Sequence, residues 1–142
     1  MIREVGRGDL PLGQVAEEID RSATAPWRCF VAVANERFIH HAFVQMRPQA
    51  PFLFRVFTAP ERRAEGVFSQ VVEHIAAVLA AEGATALYSS SGRRNQASLR
   101  AHRRAGFVVV RRRYDPVVLG VPLRPLARRL ITSARALGRL PR

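Results

Sequence analysis

The period of the apolar positions changes along this chain, and each change marks an element. Cys29 to Ala34 is a continuous apolar run and reads as a strand. Asn35-Glu36 then supplies a turn, and Arg37 to Met46 reads as a second strand, so the two make a hairpin. Pro48 and Pro51 interrupt the chain; Phe52 to Thr58 is a third strand, which Pro60 ends. Val67, Val71, Val72, Ile75, Val78 and Leu79 recur at helical spacing, with Gly83 as the stop. Ala84 to Ser90 is a fourth strand. Asn95 is suited to capping a second helix and Gly106 to ending it. Phe107 to Tyr114 is the next strand, with Phe107, Val109, Arg111 and Arg113 on one side and Val108, Val110 and Arg112 on the other. Near the start, Asp9 caps a short helix carrying Pro11, Val15 and Ile19. Near the end, Val117-Val118-Leu119 suggests an edge strand, and Leu126, Leu130, Ile131 and Leu137 suggest a basic amphipathic helix.

Strand, helix, strand over residues 52–90 is a βαβ unit, so its two strands should be parallel. With the hairpin before it, the order predicts an α/β protein: a mixed central β-sheet flanked by helices on both faces. A chain of 142 residues suits one domain. The expected division is a domain over 1–115 and a basic C-terminal extension over 116–142.

The single cysteine, Cys29, lies in an apolar run, so no internal disulfide forms and a reducing compartment is favoured. The first residues lack the apolar core of a signal peptide. The longest apolar stretch, Val71 to Leu87, is broken by Glu73, His74, Glu82 and Gly83, too short a run to span a membrane. A cytoplasmic protein is the expectation. Charge changes the picture more. All 23 basic residues are arginine. Residues 1–92 carry 9 arginines against 10 acids, whereas residues 93–142 carry 14 arginines against Asp115 alone. That asymmetry suits a polyanionic or phosphorylated partner, or a solvated basic face.

The candidate chemistry sits between the third strand and the first long helix, at Pro60-Glu61-Arg62-Arg63-Ala64-Glu65-Gly66-Val67-Phe68. The first N–H groups of a helix have no intrahelical partner, and the helix dipole places partial positive charge there. Gly66 permits close backbone approach, and the Arg63 guanidinium can grip phosphate. The loop leaves the C-terminal end of a strand, where open α/β sheets bind ligands. About thirty residues further on come Asn95-Gln96-Ala97-Ser98, His102 and Gly106-Phe107.

These two pieces resemble the motifs of the GNAT superfamily of N-acetyltransferases over residues 28–114. In the family's Arg/Gln-x-x-Gly-x-Gly/Ala motif, Arg63 and Gly66 match and Phe68 replaces the final small residue. In its second motif Asn95 and Gly106-Phe107 match, and His102 replaces a tyrosine. The resemblance implies a GNAT-like fold and acetyl-CoA as acyl donor. Backbone groups of Val56, Phe57 and Thr58 would pair with the pantetheine arm. Amides of Arg63, Ala64, Glu65, Gly66, Val67, Phe68 and Ser69 would hold the pyrophosphate, and Asn95 would touch the cofactor near its arm. The strands on either side of the helix would splay to admit the thioester. His102, at the position of the family's thiol-protonating tyrosine, would be the catalytic acid. The acceptor implied is a primary amine of a small molecule or amino sugar, with a peptide amine second.

The residues themselves limit the chemistry. No carboxylate lies between Arg37 and Pro60, so a strand-borne base is missing. His40 and His41 are adjacent and face opposite sides of their strand; either is a base or a packed side chain. Ser89, Ser90 and Ser91 are ligand contacts or simply a strand end. No Cys/His cluster has metal spacing, and no Ser-His-Asp order suggests hydrolysis. A second reading stands beside the enzyme: a catalytically inactive module of the same fold, binding nucleic acid or another polyanion through its arginine-rich C-terminal third. A homodimer is compatible with either.

Overall fold

The computed structural model describes residues 1–6, 25–48, 50–113, 117–118, 121–122 and 130–137. Strands β1 (Ile2–Val5), β2 (Trp27–Ala34), β3 (Arg37–Gln45) and β4 (Phe52–Thr58) are followed by helix α1 (Val67–Ala81). Then come β5 (Ala86–Gly92), helix α2 (Gln96–Arg104), β6 (Val108–Arg113), β7 (Val117–Val118), β8 (Val121–Pro122) and β9 (Leu130–Ala136). Seven strands form one sheet in the order β1-β2-β3-β4-β5-β9-β6. Only the β4–β5 contact is parallel; the other neighbours are antiparallel.

The hairpin turn forms as expected, with Asn35 and Glu36 both at positive φ, 49° and 60°. β2 is buried through Cys29, Phe30, Val31 and Ala32, because both faces of the sheet are covered there. Phe30 and Ala32 join Ala42, Val44, Leu53 and Leu87 against Val67, Val71, Val72, Ile75 and Leu79 of α1. Cys29, Val31 and Phe43 form a second cluster with Val5 on the opposite face. Burial pushes the Cys29 thiol up to about 12, so it stays protonated.

Both helices end alike. Gly83 (φ 94°) and Gly106 (φ 82°) take the left-handed position that a side chain disfavours. The next residue closes the turn: Ala84 N–H donates to Leu79 O, and Phe107 N–H to His102 O. Asn95 Oδ1 accepts from Ser98 N at 3.0 Å and caps α2.

Three expectations change. Residues 130–136, read as part of an amphipathic helix, are strand β9, inserted between β5 and β6 and hydrogen-bonded to both. Short apolar runs do not separate helix from buried strand by period alone, and the sheet supplies pairing on both edges here. Second, Val117–Val118 pairs with Val121–Pro122 and not with the main sheet. Third, β6 shifts register between Val109 and Arg111, which breaks the simple alternation expected there. Val108, Val109 and Val110 are all exposed. The expected Asp9 helix, Leu119, Leu126 and Tyr114 lie outside the described residues. α1 and α2 lie on the same face of the sheet, and no described helix is long and apolar enough to cross a membrane.

Candidate functional site

β4 and β5 pair only at Phe52↔Tyr88 and Leu53↔Ser89. Beyond that point β4 runs on to Thr58 and β5 to Gly92 without pairing to each other. A fork therefore opens toward the C-terminal ends of both strands, with Leu53 and Ser89 at its vertex. A bulge helps to form it. Arg55 and Val56 together oppose Ala42, between the pairs His41↔Phe57 and Phe43↔Phe54. Arg55 carries the extra residue at φ 47°. Leu53 and Val56 consequently pack on the helix side of the sheet, whereas Phe54 sits with the second cluster.

The chain leaves the fork through a 3₁₀ turn, Pro60–Arg62, and enters α1 after Gly66. Ala64 (φ 67°) and Gly66 (φ 80°) are both left-handed. No side chain caps α1. The N–H groups of Val67, Phe68 and Ser69 thus have no intrahelical acceptor. A Cβ built on Gly66 meets no atom within 4 Å, so the space over the loop is open. Arg63 Nε donates to Thr58 O at 3.2 Å, which folds this cation back over the end of β4. Arg62 offsets Glu65 through a 2.9 Å ion pair. Unpaired donors, a helix dipole and two arginines fit a diphosphate.

Phe68 turns away from this loop. Its ring packs 6.1 Å from His40 and 5.0 Å from His102, on the inner face of α1. His40 is 1% exposed; its Nδ1 lies 2.7 Å from Thr58 Oγ1 and its Nε2 has no hydrogen-bond partner among the described residues. Burial lowers its pKa to about 4, and the neighbouring His41 adds to the effect. His41 faces the other side, stacked on the half-exposed Phe57 at 5.3 Å, and burial lowers its pKa as well.

His102 is 5% exposed. Its Nε2 lies 2.8 Å from Ser89 Oγ, and its Nδ1 lies 2.8 Å from Ser98 O. Phe107 closes the remaining side at 5.1 Å. Burial pulls its pKa down, partly opposed by the Ser98 carbonyl. Ser98 Oγ also bonds Ser91 Oγ at 2.9 Å. Sequence reading placed His102 at the site but missed that both ring nitrogens are engaged. It also missed the Thr58 side chain and the Arg55 bulge. The bulge has no residue signature, since arginine does not favour positive φ.

The arrangement brings Val56, Phe57, Thr58, Arg63 to Ser69 and His102 around one fork, with Asn95 at the start of α2. Of the C-terminal arginines, Arg135 is bound to Glu73 of α1 at 2.5 Å, so it anchors β9. Arg124, Arg128 and Arg129 lie outside the described residues. Among the described residues no three His, Cys, Asp or Glu side chains are grouped to hold a metal.

No curated protein sequence matches the chain. Solved structures do match in fold. The ribosomal-protein-S18-alanine N-acetyltransferase of Escherichia coli superposes with TM-score 0.77 at 16% identity, covering 99% of this chain and 96% of that one. A GNAT family acetyltransferase from Elizabethkingia anophelis with acetyl-CoA bound gives 0.77 at 12% identity, covering 96% and 97%. The spermidine/spermine N-acetyltransferase of Vibrio cholerae gives 0.71 at 14%, covering 96% and 94%. The profile of the acetyltransferase (GNAT) family matches residues 6–107, and the chain belongs to that family of acyltransferases.

Proposed function

We propose that this chain transfers an acetyl group from acetyl-CoA to a primary amine of a small molecule or amino sugar, by direct attack in a ternary complex. The observation that carries the reading is the β4–β5 fork opening onto the uncapped start of α1. In this reading the backbone of Val56, Phe57 and Thr58 borders the pantetheine arm, although Arg63 already holds the Thr58 carbonyl. Residues Arg63 to Ser69 hold the diphosphate, and Asn95 contacts the arm from the start of α2. Bound acetyl-CoA supplies an activated acyl carbon.

The chain must polarise the carbonyl, accept a proton from the amine and protonate the departing sulfur. A backbone N–H on a splayed strand suits the first task. Neutral imidazoles suit the others, and burial keeps His40, His41 and His102 neutral. In this reading His102 is the imidazole that holds the transferred proton. The arginine-rich surface favours an acidic acceptor or a peptide carrying one. The rival polyanion-binding reading loses Arg135, which is spent on Glu73.

Thiol release from acetyl-CoA tests the reading across a panel of primary amines, amino sugars and peptides with free N-termini. Release that requires one acceptor class supports the enzyme. Acetyl-CoA binding without release for any class would leave a non-catalytic binder.

A further inference from the structure

We propose that Ser89, and not the imidazole of His102, touches the reacting atoms, with His102 acting through it as a positioning and proton-holding residue. This rests on the acetyl-transfer reading above. Ser89 belongs to the last pair, Leu53↔Ser89, before β4 and β5 part, so it stands at the vertex of the fork. Ser89 (2% exposed) and His102 of α2 (5% exposed) face each other, with Phe68 and Phe107 against the ring.

The hydrogen bonds fix the proton positions. A carbonyl oxygen only accepts, so the 2.8 Å contact to Ser98 O requires the proton on Nδ1. Nε2 then carries a lone pair and accepts from Ser89 Oγ at 2.8 Å. The neutral ring orients the serine hydroxyl, and the serine oxygen keeps its own acceptor capacity. The groups facing this ring are Phe68 from α1, Ser89 from β5, Ser98 from α2 and Phe107 after it. His40 lies beyond Phe68. None of these is a carboxylate or a permanent cation; Nε2, the nitrogen that can take a proton, meets Ser89, whereas Nδ1 already gives its proton to the Ser98 carbonyl and has Ser98 Oγ 3.3 Å away.

The proton account closes without a further reactant. As the amine nitrogen bonds to the acetyl carbon, Ser89 takes the proton that nitrogen sheds and passes its own to His102 Nε2. As the carbon–sulfur bond breaks, Ser89 gives a proton to the sulfur and takes back the one on Nε2. The products are the amide and the free thiol, and both side chains return to their starting state. One pair serves as base and acid, which matters in a chain with no carboxylate between Arg37 and Pro60.

The test needs no acceptor. CoA is bound to the full chain and its thiol is titrated by the ultraviolet absorbance of the thiolate, with affinity measured calorimetrically in the same samples. In the wild type, the bound thiol should ionise at lower pH than free CoA, because Ser89 receives the thiol's proton as it passes its own to His102 Nε2, and then donates to the thiolate. Ser89→Ala and His102→Gln should each cut the thiolate fraction at fixed pH by about tenfold, one pH unit, with CoA affinity held within about threefold. Ser89→Thr, which keeps the hydroxyl, should restore it. Ser91→Ala removes the 2.9 Å bond to Ser98 in the same buried cluster and should lower Tm without moving the titration. An unshifted thiol in the wild type overturns the proposal, as does a wild-type titration in Ser89→Ala. A shift in Ser91→Ala equal to that in Ser89→Ala overturns it too, by showing a merely structural cluster. Failure of the wild type to bind CoA would instead remove the acetyl-transfer reading, and the relay with it.

Discussion

Phe68 occupies a position where the family motif carries a small residue, and its direction decides whether the loop still works. The ring lies between His40 and His102, and the backbone N–H of the same residue remains at the open start of the helix. Phe68→Ala should therefore destabilise the protein by roughly 2–3 kcal/mol, a partly buried version of the usual aromatic truncation. It should leave CoA affinity within a few fold. A loss of CoA binding at full stability would place the ring in the loop wall instead. His40 makes a different prediction. Its pKa is about 4 folded against 6.5 in the open chain, so the unfolded state binds the extra proton. The stability it contributes is complete above pH 6.5 and is lost as pH falls toward 4, by an order of about 3 kcal/mol. His41 and His102, also lowered by burial, act with the same sign. Chemical denaturation of wild type and His40→Gln across pH 4–7 checks this: the wild type should lose more stability on acidification. Residue identity made His40, His41 and His102 visible in the sequence. Their partners were not visible, because Thr58 and Ser89 reach them through the sheet and Phe68 through the packing of α1 on it.

At the scale of elements, the site is a consequence of two strands that stop pairing. The helices were legible because apolar spacing, Asn95 and the two glycines all act locally. Asn95→Ala should cost about 1 kcal/mol, since Ser98 N would lose its acceptor; thermal unfolding reads this directly. The fork was legible only through family resemblance. The register of β4 depends on Arg55 accepting positive φ opposite Ala42, which no local preference announces. β9 was misread as a helix for a related reason. A strand held on both edges and covered by a helix takes its conformation from its neighbours, and Arg135 reaching Glu73 on α1 fixes it further. A chain ending at residue 115 would lack β9 and leave β5 without its antiparallel partner. It should show no cooperative unfolding transition, whereas an independently folded 1–115 unit would melt like the full chain.

For the whole molecule, charge and architecture carry separate messages. The net charge of +12 draws any polyanion toward the surface, so loose, salt-sensitive binding of CoA phosphates or nucleic acid is expected whatever the site does. The fold adds something that charge does not: one place where donors, open space and a fork coincide. Gly66 separates the two effects. Its left-handed φ of 80° makes aspartate there cost about 1 kcal/mol, yet its Cβ meets nothing, so the fold survives while a carboxylate faces the diphosphate. The most direct measurement is calorimetric titration of the wild type and Gly66→Asp with acetyl-CoA, at salt high enough to screen surface arginines. Saturable one-to-one binding in the wild type, abolished in Gly66→Asp, is the predicted result. Absence of wild-type binding, or micromolar binding retained by Gly66→Asp, would contradict the assignment of the fork and loop as the acetyl-CoA site.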